Sequence, residues 1–248
     1  MVIRPSFAIF DLDHTLIPFE TQALFCNFVL KREPWRVALH LVFAPFAVAR
    51  AFRLTSSRIA RRALHAYLWR MPAGRLRAYA REFAQTSARR WTYPELLTEI
   101  ARHRDEGRTL VLNTASPDFF VTEIAAALGF EHCVATQFEI GERFPLMPRL
   151  PAGENMTGRK VTAMLAQIPA MAALTPGERA GCWCYSDSTA DLPLLRLVGH
   201  AVVVHPWPGL AAIAHERGWP VLMPVRPYRT RAGDALRACL QFFGLHAE

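Results

Sequence analysis

Two aspartates close a short apolar run, Asp11 and Asp13 in FAIFDLDHT, and two more, Asp187 and Asp191, follow a second run in CWCYSDSTAD. Alternate residues of an extended segment face the same way, so Asp11 and Asp13 are expected side by side at a strand tip. Asp187 and Asp191 lie four apart across a strand-to-helix turn. Carboxylates converging on one crevice repel each other unless a hard cation neutralises them, and oxygen donors suit Mg2+ better than zinc. A phosphate beside that cation would face one Asp able to attack it, forming an aspartyl-phosphate, and a second able to move the proton. Lys160 and the hydroxyl of Thr114 could hold the transferring oxygens. Each residue also has a plainer use. Asp13 could cap a turn, Asp187 and Asp191 could cap a helix over 189–198, and Lys160 could be solvated. Ser116 could be the N-cap of the next helix with Pro117 at N1.

The elements that would position these residues follow from the pattern. Residues 7–13, 109–114, 182–186 and 201–205 are short apolar runs that read as buried parallel strands, with a last short strand at 221–223. Helices are expected over 117–128 (Gly129 just past its end), 157–167, 189–198 and 209–217. Residues 134–153 are polar and broken by Pro and Gly, as short strands or a flap would be. Alternation of this kind implies a parallel α/β sheet with right-handed crossovers, whose ligands sit beyond the C-terminal strand ends. Asp11–Asp13, Thr114 and Asp187 all fall there. Residues from about 20 to 100 read as helical and are too long for a simple crossover. The expectation is a Rossmann-like core of residues 1–18 and 100–248 with an inserted helical cap domain, 19–99.

With these elements in order, DLDHT, LNTASP, GRK and YSDSTAD resemble the four successive motifs of the haloacid dehalogenase superfamily. The match spans residues 7–205 and is to its phosphoserine phosphatase-like branch, subfamily IB. The resemblance implies Asp11 as nucleophile and Asp13 as general acid/base. It implies Thr114, Ala115 and Lys160 as phosphate-binding residues. Mg2+ would be held by Asp11, Asp187 and the backbone carbonyl of Asp13, with Asp191 and Thr15 in support. His14 stands where Gly or Ser is usual, and is expected to pack, or else to touch substrate. Glu20 lies where phosphoserine phosphatases carry an acid that contacts the substrate amine.

The 248 residues are 52% hydrophobic and 20% charged, which excludes general disorder and leaves enough apolar matter for a sizeable core. Five cysteines and an N-terminal apolar run too short for a signal peptide point to a reduced, cytoplasmic protein. Cys182 and Cys184 are expected as buried thiols of a strand rather than half a metal site. The net charge is +8, yet residues 31–90 carry fourteen basic side chains against Glu33 and Glu82, so the remainder is −4. Within this basic segment, 37–49 (VALHLVFAPFAVA) is too short to span a bilayer. It reads either as the core of the cap or as an interfacial element. In the second reading Lys31, Arg32 and Arg36 before it, and Arg50, Arg53, Arg58, Arg61 and Arg62 after it, would meet an anionic inner-membrane surface. The cap resembles that of a phosphatidylglycerophosphatase of the same superfamily. The expected partner is therefore a phosphorylated small molecule or a phospholipid head group, with phosphoserine or histidinol phosphate as alternatives. The arginines follow no RNA-binding motif, so no nucleic acid is expected. The contrary case is a membrane- or RNA-binding protein on a vestigial core. The C-terminal stretch, with Arg226, Arg229 and Arg231 before an apolar helix ending at Phe242 and Phe243, has no role assigned.

Overall fold

The central strands are largely apolar because both faces of the sheet are covered, and the faces separate by simple alternation. In the computed structural model, β1 (Phe7–Phe10) points Phe7 and Ile9 into one core and Ala8 and Phe10 into the other. The other strands are β2 (Thr109–Pro117), β3 (His132–Thr136), β4 (Trp183–Ser186), β5 (His200–Val204) and β6 (Val221–Leu222). All pairs are parallel, in the order β3-β2-β1-β4-β5-β6, the Rossmann-like arrangement expected. The structure describes residues 5–246 apart from 53, 55 and 229, so Arg53 and Arg229 lie outside the described residues, as do the side chains of Arg58 and Arg231.

Among the described residues, five α-helices run between β1 and β2: α1 (Thr21–Arg32), α2 (His40–Ala51), α3 (Ser57–Leu64), α4 (Ala73–Trp91) and α5 (Pro94–Asp105). After β2 come α6 (Asp118–Leu128), α7 (Gly158–Gln167), α8 (Pro208–Arg217) and α9 (Arg231–Phe242). α4 packs along α6 and α5 lies on β2. The inserted helices thus share one hydrophobic cluster with the sheet. Phe25 of α1 stacks on Phe120 of α6 at 4.9 Å and meets Phe83 of α4 edge-on at 5.2 Å. Each such buried ring contributes on the order of 1.5–3 kcal/mol by area alone. The opposite face is covered by α7, α8 and the short turns around Met171 and Leu194.

Several expectations are corrected in detail. β1 stops at Phe10, not Asp13: the Asp11 N–H still bonds the Tyr185 carbonyl, but the Leu12 carbonyl then gathers the N–H groups of Thr15, Leu16 and Ile17 in a turn. β3 occupies the start of what reads as a polar stretch. The helix expected over 189–198 is a 3₁₀ turn, Thr189–Asp191, followed by one α turn, Leu192–Leu195, with Pro193 in its first turn. α6 ends as expected on Gly129, whose φ of +77° needs a residue without a Cβ. Cys182 and Cys184 are free buried thiols in the second core.

Residues 37–49 are not cap core. Of the side chains described there, only His40 is buried. Leu41 is 76% exposed and Val48 56%, followed by Phe52 at 72% and Leu54 at 79%. Arg36, expected among the surface cations, is buried instead, bonded to Glu33 and to the Tyr67 and Trp69 carbonyls. No described helix is long and apolar enough to cross a membrane.

Candidate active site

The C-terminal ends of β1, β2 and β4 meet at the point where the strand order reverses, and the expected residues collect there around a cavity of about 720 Å³. Lys160, third residue of α7, reaches into the crevice. It is only 4% exposed, and its ammonium donates to Asp11 Oδ1 at 2.7 Å and Asp191 Oδ2 at 2.8 Å. Asp191 also accepts from the Ser186 hydroxyl at 2.8 Å. Asp191 therefore seats the lysine. It does not cap a helix, since the cap of the 3₁₀ turn is the hydroxyl of Ser188, which accepts from the Ala190 N–H. The Thr15 hydroxyl lies 3.3 Å from both Asp11 Oδ2 and Asp187 Oδ1, bridging the tips of β1 and β4. Asp187 also accepts from the Trp207 indole N–H at 3.3 Å.

Asp13 faces a different set of donors. Its Oδ2 accepts from the Ser116 hydroxyl at 2.6 Å and its Oδ1 from the Thr21 N–H at 2.6 Å; the hydroxyls of Thr21 and Ser116 are 3.1 Å apart. Ser116 is thus not a helix cap: Pro117, expected at N1, occupies the N-cap position of α6. Thr114 is fully buried, with its hydroxyl accepting the Ser116 N–H at 3.1 Å; its neighbour Ala115 is the residue of this segment that lines the cavity.

His14 adopts φ = +60°, left-handed backbone in which glycine costs least. Its ring sits 3.6 Å from Glu20, and the Tyr228 hydroxyl lies 3.5 Å from Nδ1. Both His14 and Glu20 line the cavity. Sequence reasoning missed Ser116 as a partner of Asp13, Thr21, Trp207, and the C-terminal helix. α9 forms a wall: Ala238, Cys239 and Phe242 line the cavity, and Phe242 stacks on His40 at 3.9 Å. The only signal available for α9 was its apolar ending.

Burial sets the charge balance. Desolvation lifts Asp11 to about 8 against the pull of Lys160, and lifts Asp187 to about 6 against the pull of His14. Asp13 is also raised, by burial first and by Glu20 next, while Ser116 and Thr21 oppose this. Burial alone would lower His14, but Glu20, Asp13 and Asp187 together carry it to about 9. Asp11, Asp13, Glu20, Asp187 and Asp191 outnumber Lys160 and His14 around the cavity, a crowding of carboxylates that a hard cation would relieve. Among the described residues no three Asp, Glu, His or Cys side chains converge on one point. A cation here would thus keep waters or a backbone carbonyl in its shell, as Mg2+ does and structural zinc does not.

The geometry agrees with what the chain resembles. Residues 8–196 match the family model for haloacid dehalogenase-like hydrolases. A probable phosphatase of Mycobacterium tuberculosis is 39% identical over 141 residues, 56% of this chain and 46% of that protein. A histidinol-phosphatase of Neisseria meningitidis is 31% identical over 123 residues, 50% of this chain and 55% of that protein. The chain thus spans about half the length of the curated relatives it matches. The crystal structure of a protein of unknown function from Bordetella pertussis superposes with a TM-score of 0.71 at 25% identity, covering 88% of this chain and 98% of that one. The chain belongs to the haloacid dehalogenase-like hydrolase family.

Proposed function

We propose that the chain is a Mg2+-dependent phosphomonoester hydrolase that works through an aspartyl-phosphate on Asp11. The observation that carries this is the buried trio Asp11–Lys160–Asp191 beside an Asp13 held by Ser116 and Thr21, all opening on one cavity. Mg2+, held by the Asp11 and Asp187 side chains and the Asp13 carbonyl, would neutralise the carboxylates and the phosphate. Lys160 has three N–H donors, two of them committed to carboxylates, so the third is left for a phosphoryl oxygen. Ala115, at the end of β2, offers its backbone N–H to the same group. Asp11 attacks phosphorus as the bond to the leaving oxygen breaks, and Asp13 gives that oxygen its proton. Asp13 then takes a proton from water as the water attacks the acyl phosphate, and free phosphate leaves. Ser116 and Thr21 hold Asp13 in place, and its raised affinity for a proton suits the first of these steps. In this reading residues 19–99 act as the cap over a core of 1–18 and 100–248, and Glu20 and His14 meet the leaving group.

Besides the carboxylates, the cavity is lined by the apolar and aromatic side chains of Phe43, Leu64, Tyr67 and Phe242. That supports a lipid head-group phosphate, presented by peripheral contact of the exposed α2 face with an anionic inner-membrane surface from the cytoplasmic side. The Neisseria histidinol-phosphatase supports the second reading, a small phosphorylated metabolite. Phosphate release with Mg2+ from phosphatidylglycerophosphate in mixed micelles, beside histidinol phosphate and phosphoserine, decides between them. Turnover of the lipid well above the soluble esters upholds the first reading, and the reverse order upholds the second. No Mg2+-dependent release from any phosphomonoester refutes both.

A further inference from the structure

β2 and β3 do not run in register to their ends. Asn113 pairs with Val134 and Pro117 with Thr136, so β2 advances four residues while β3 advances two. The ladder opens over Thr114–Ser116, the segment that turns toward the cavity, and a bulge of this kind leaves carbonyls without strand partners. One side chain fills the gap. Asn155, buried in the loop before α7, directs its amide at the carbonyls of Thr114 (2.9 Å) and Val134 (3.1 Å) and at Asn113 Oδ1 (2.9 Å). All three are acceptors, which fixes the nitrogen of the amide toward them. Its own Oδ1 is buried with no donor against it among the described residues. The site therefore uses Asn155 for its donors alone, and leaves an amide oxygen unsatisfied to keep them there.

The chain of contacts continues to the lysine. Asn113, fully buried, donates its amide to the backbone carbonyl of Lys160 at 3.0 Å. The Asn155 N–H donates to the Thr136 hydroxyl at 3.0 Å, and that hydroxyl donates to the Ala115 carbonyl at 2.7 Å. The same two asparagines thus fix the peptide of Ala115 and the first turn of α7, and both Ala115 and Lys160 line the cavity.

We propose that Asn155, acting through Asn113, is the positioning residue that sets Lys160 and the Ala115 peptide in mutual register for phosphoryl transfer; this rests on the hydrolase reading above. Neither asparagine touches the cavity, so a direct contact with substrate is not part of the role.

The test measures Asn155→Ala and Asn113→Ala in the full chain, each alone and combined with Lys160→Met, with p-nitrophenyl phosphate and Mg2+ at a temperature where each variant is folded. Asn113→Ala keeps the Asn155 bonds to the Thr114 and Val134 carbonyls while cutting the link to Lys160, and serves if Asn155→Ala does not fold. Either substitution is expected to lower kcat by roughly 30–100-fold with KM within about threefold, as small misplacements of reacting groups do. In the Lys160→Met background the same change should cost less than about threefold, because the two residues act as one unit. A kcat within about twofold of wild type in the folded variants overturns the inference, as does an equal loss with and without Lys160. If the wild type releases no phosphate from any ester, the hydrolase reading fails. The urea midpoints of the same variants then decide: non-additive changes for positions 155 and 160 uphold the link, and additive ones overturn it.

Discussion

Replacing Lys160 by Met removes the one cation between two buried carboxylates while nearly keeping the volume. The ammonium lies 2.7 and 2.8 Å from Asp11 and Asp191, and all three side chains are almost wholly out of solvent. At an effective dielectric of about 20, each attraction is about 4 kcal/mol for charges some 4 Å apart. The cost of burying the ammonium offsets part of that sum. What remains is the penalty for breaking a buried pair from one side, roughly 3–5 kcal/mol. For a chain of this size, that corresponds to a fall in Tm of about 10–15 °C. The loss must depend on pH. Burial already holds Asp11 near 8 with the lysine present, and without it the folded protein binds that proton more tightly still. A raised carboxylate contributes stability that is fully present at low pH and lost as pH rises. Urea denaturation in EDTA should therefore show the full deficit at pH 8, shrinking to about 1 kcal/mol at pH 4, where a protonated Asp11 no longer repels its neighbour. Lys160→Met/Asp191→Asn should recover part of the deficit at pH 8. A deficit below 1 kcal/mol at pH 8, or one equal at both pH values, would refute the electrostatic account of this triad.

Other expectations follow from single contacts. His65 is buried among Tyr67, Phe119 and Phe138, and desolvation lowers it to about 4. The folded protein keeps it neutral while the unfolded chain protonates near 6.5, so its contribution is present above 6.5 and lost between 6.5 and 4. His65→Phe should gain about 3 kcal/mol relative to wild type over that range in urea titrations; the difference is read because the raised carboxylates slope the other way. A difference that does not change with pH would show that His65 titrates normally. His14→Ala and His14→Gly both lose the pairing with Glu20, but only Ala keeps a Cβ at φ = +60°. Thermal melts should find the Ala variant less stable by about 1 kcal/mol, and equal melts would contradict a strained backbone there. Leu41→Asp on the exposed face of α2 should abolish sedimentation with anionic vesicles and leave turnover of a soluble ester unchanged. Undiminished sedimentation would remove α2 from the interfacial reading.

What the residues reveal in one dimension depends on how local the physics is. β1, β2, β4 and β5 were legible because burial on both faces makes them largely apolar, and parallel pairing followed from strand–helix alternation, whereas the strand order and β3, half polar at its start, did not. Lys160, Asp187 and Asp191 were legible through their order, and the structure brings them together with Asp11. Asp13 and Ser116 are 103 residues apart in sequence, and Ser116 followed by Pro and Asp mimics a helix cap, so its bond to Asp13 was hidden. Asn155 lies in a polar loop whose composition gives no sign that its amide enters a β-bulge. The α2 face misled in another way: an apolar run promises burial, yet the neighbouring helices bury their own apolar faces against the sheet and leave Leu41 and Phe52 exposed. The inserted helices were read from the length and the Gly-poor, Ala/Leu/Arg-rich composition of the segment, whereas the packing of α1 and α4 on α6 through Phe25, Phe83 and Phe120 joins residues too distant in sequence to be read there.

The claim on which the rest depends is that Asp11 carries the phosphoryl group. Acid-quenching the wild-type protein during turnover with Mg2+, then mapping its peptides by mass spectrometry, tests it directly. The account predicts a phosphoryl adduct on the peptide containing Asp11, absent in Asp11→Asn, which should melt as a folded protein yet release no phosphate. Phosphate release retained by Asp11→Asn, or an adduct on any other residue, would contradict it.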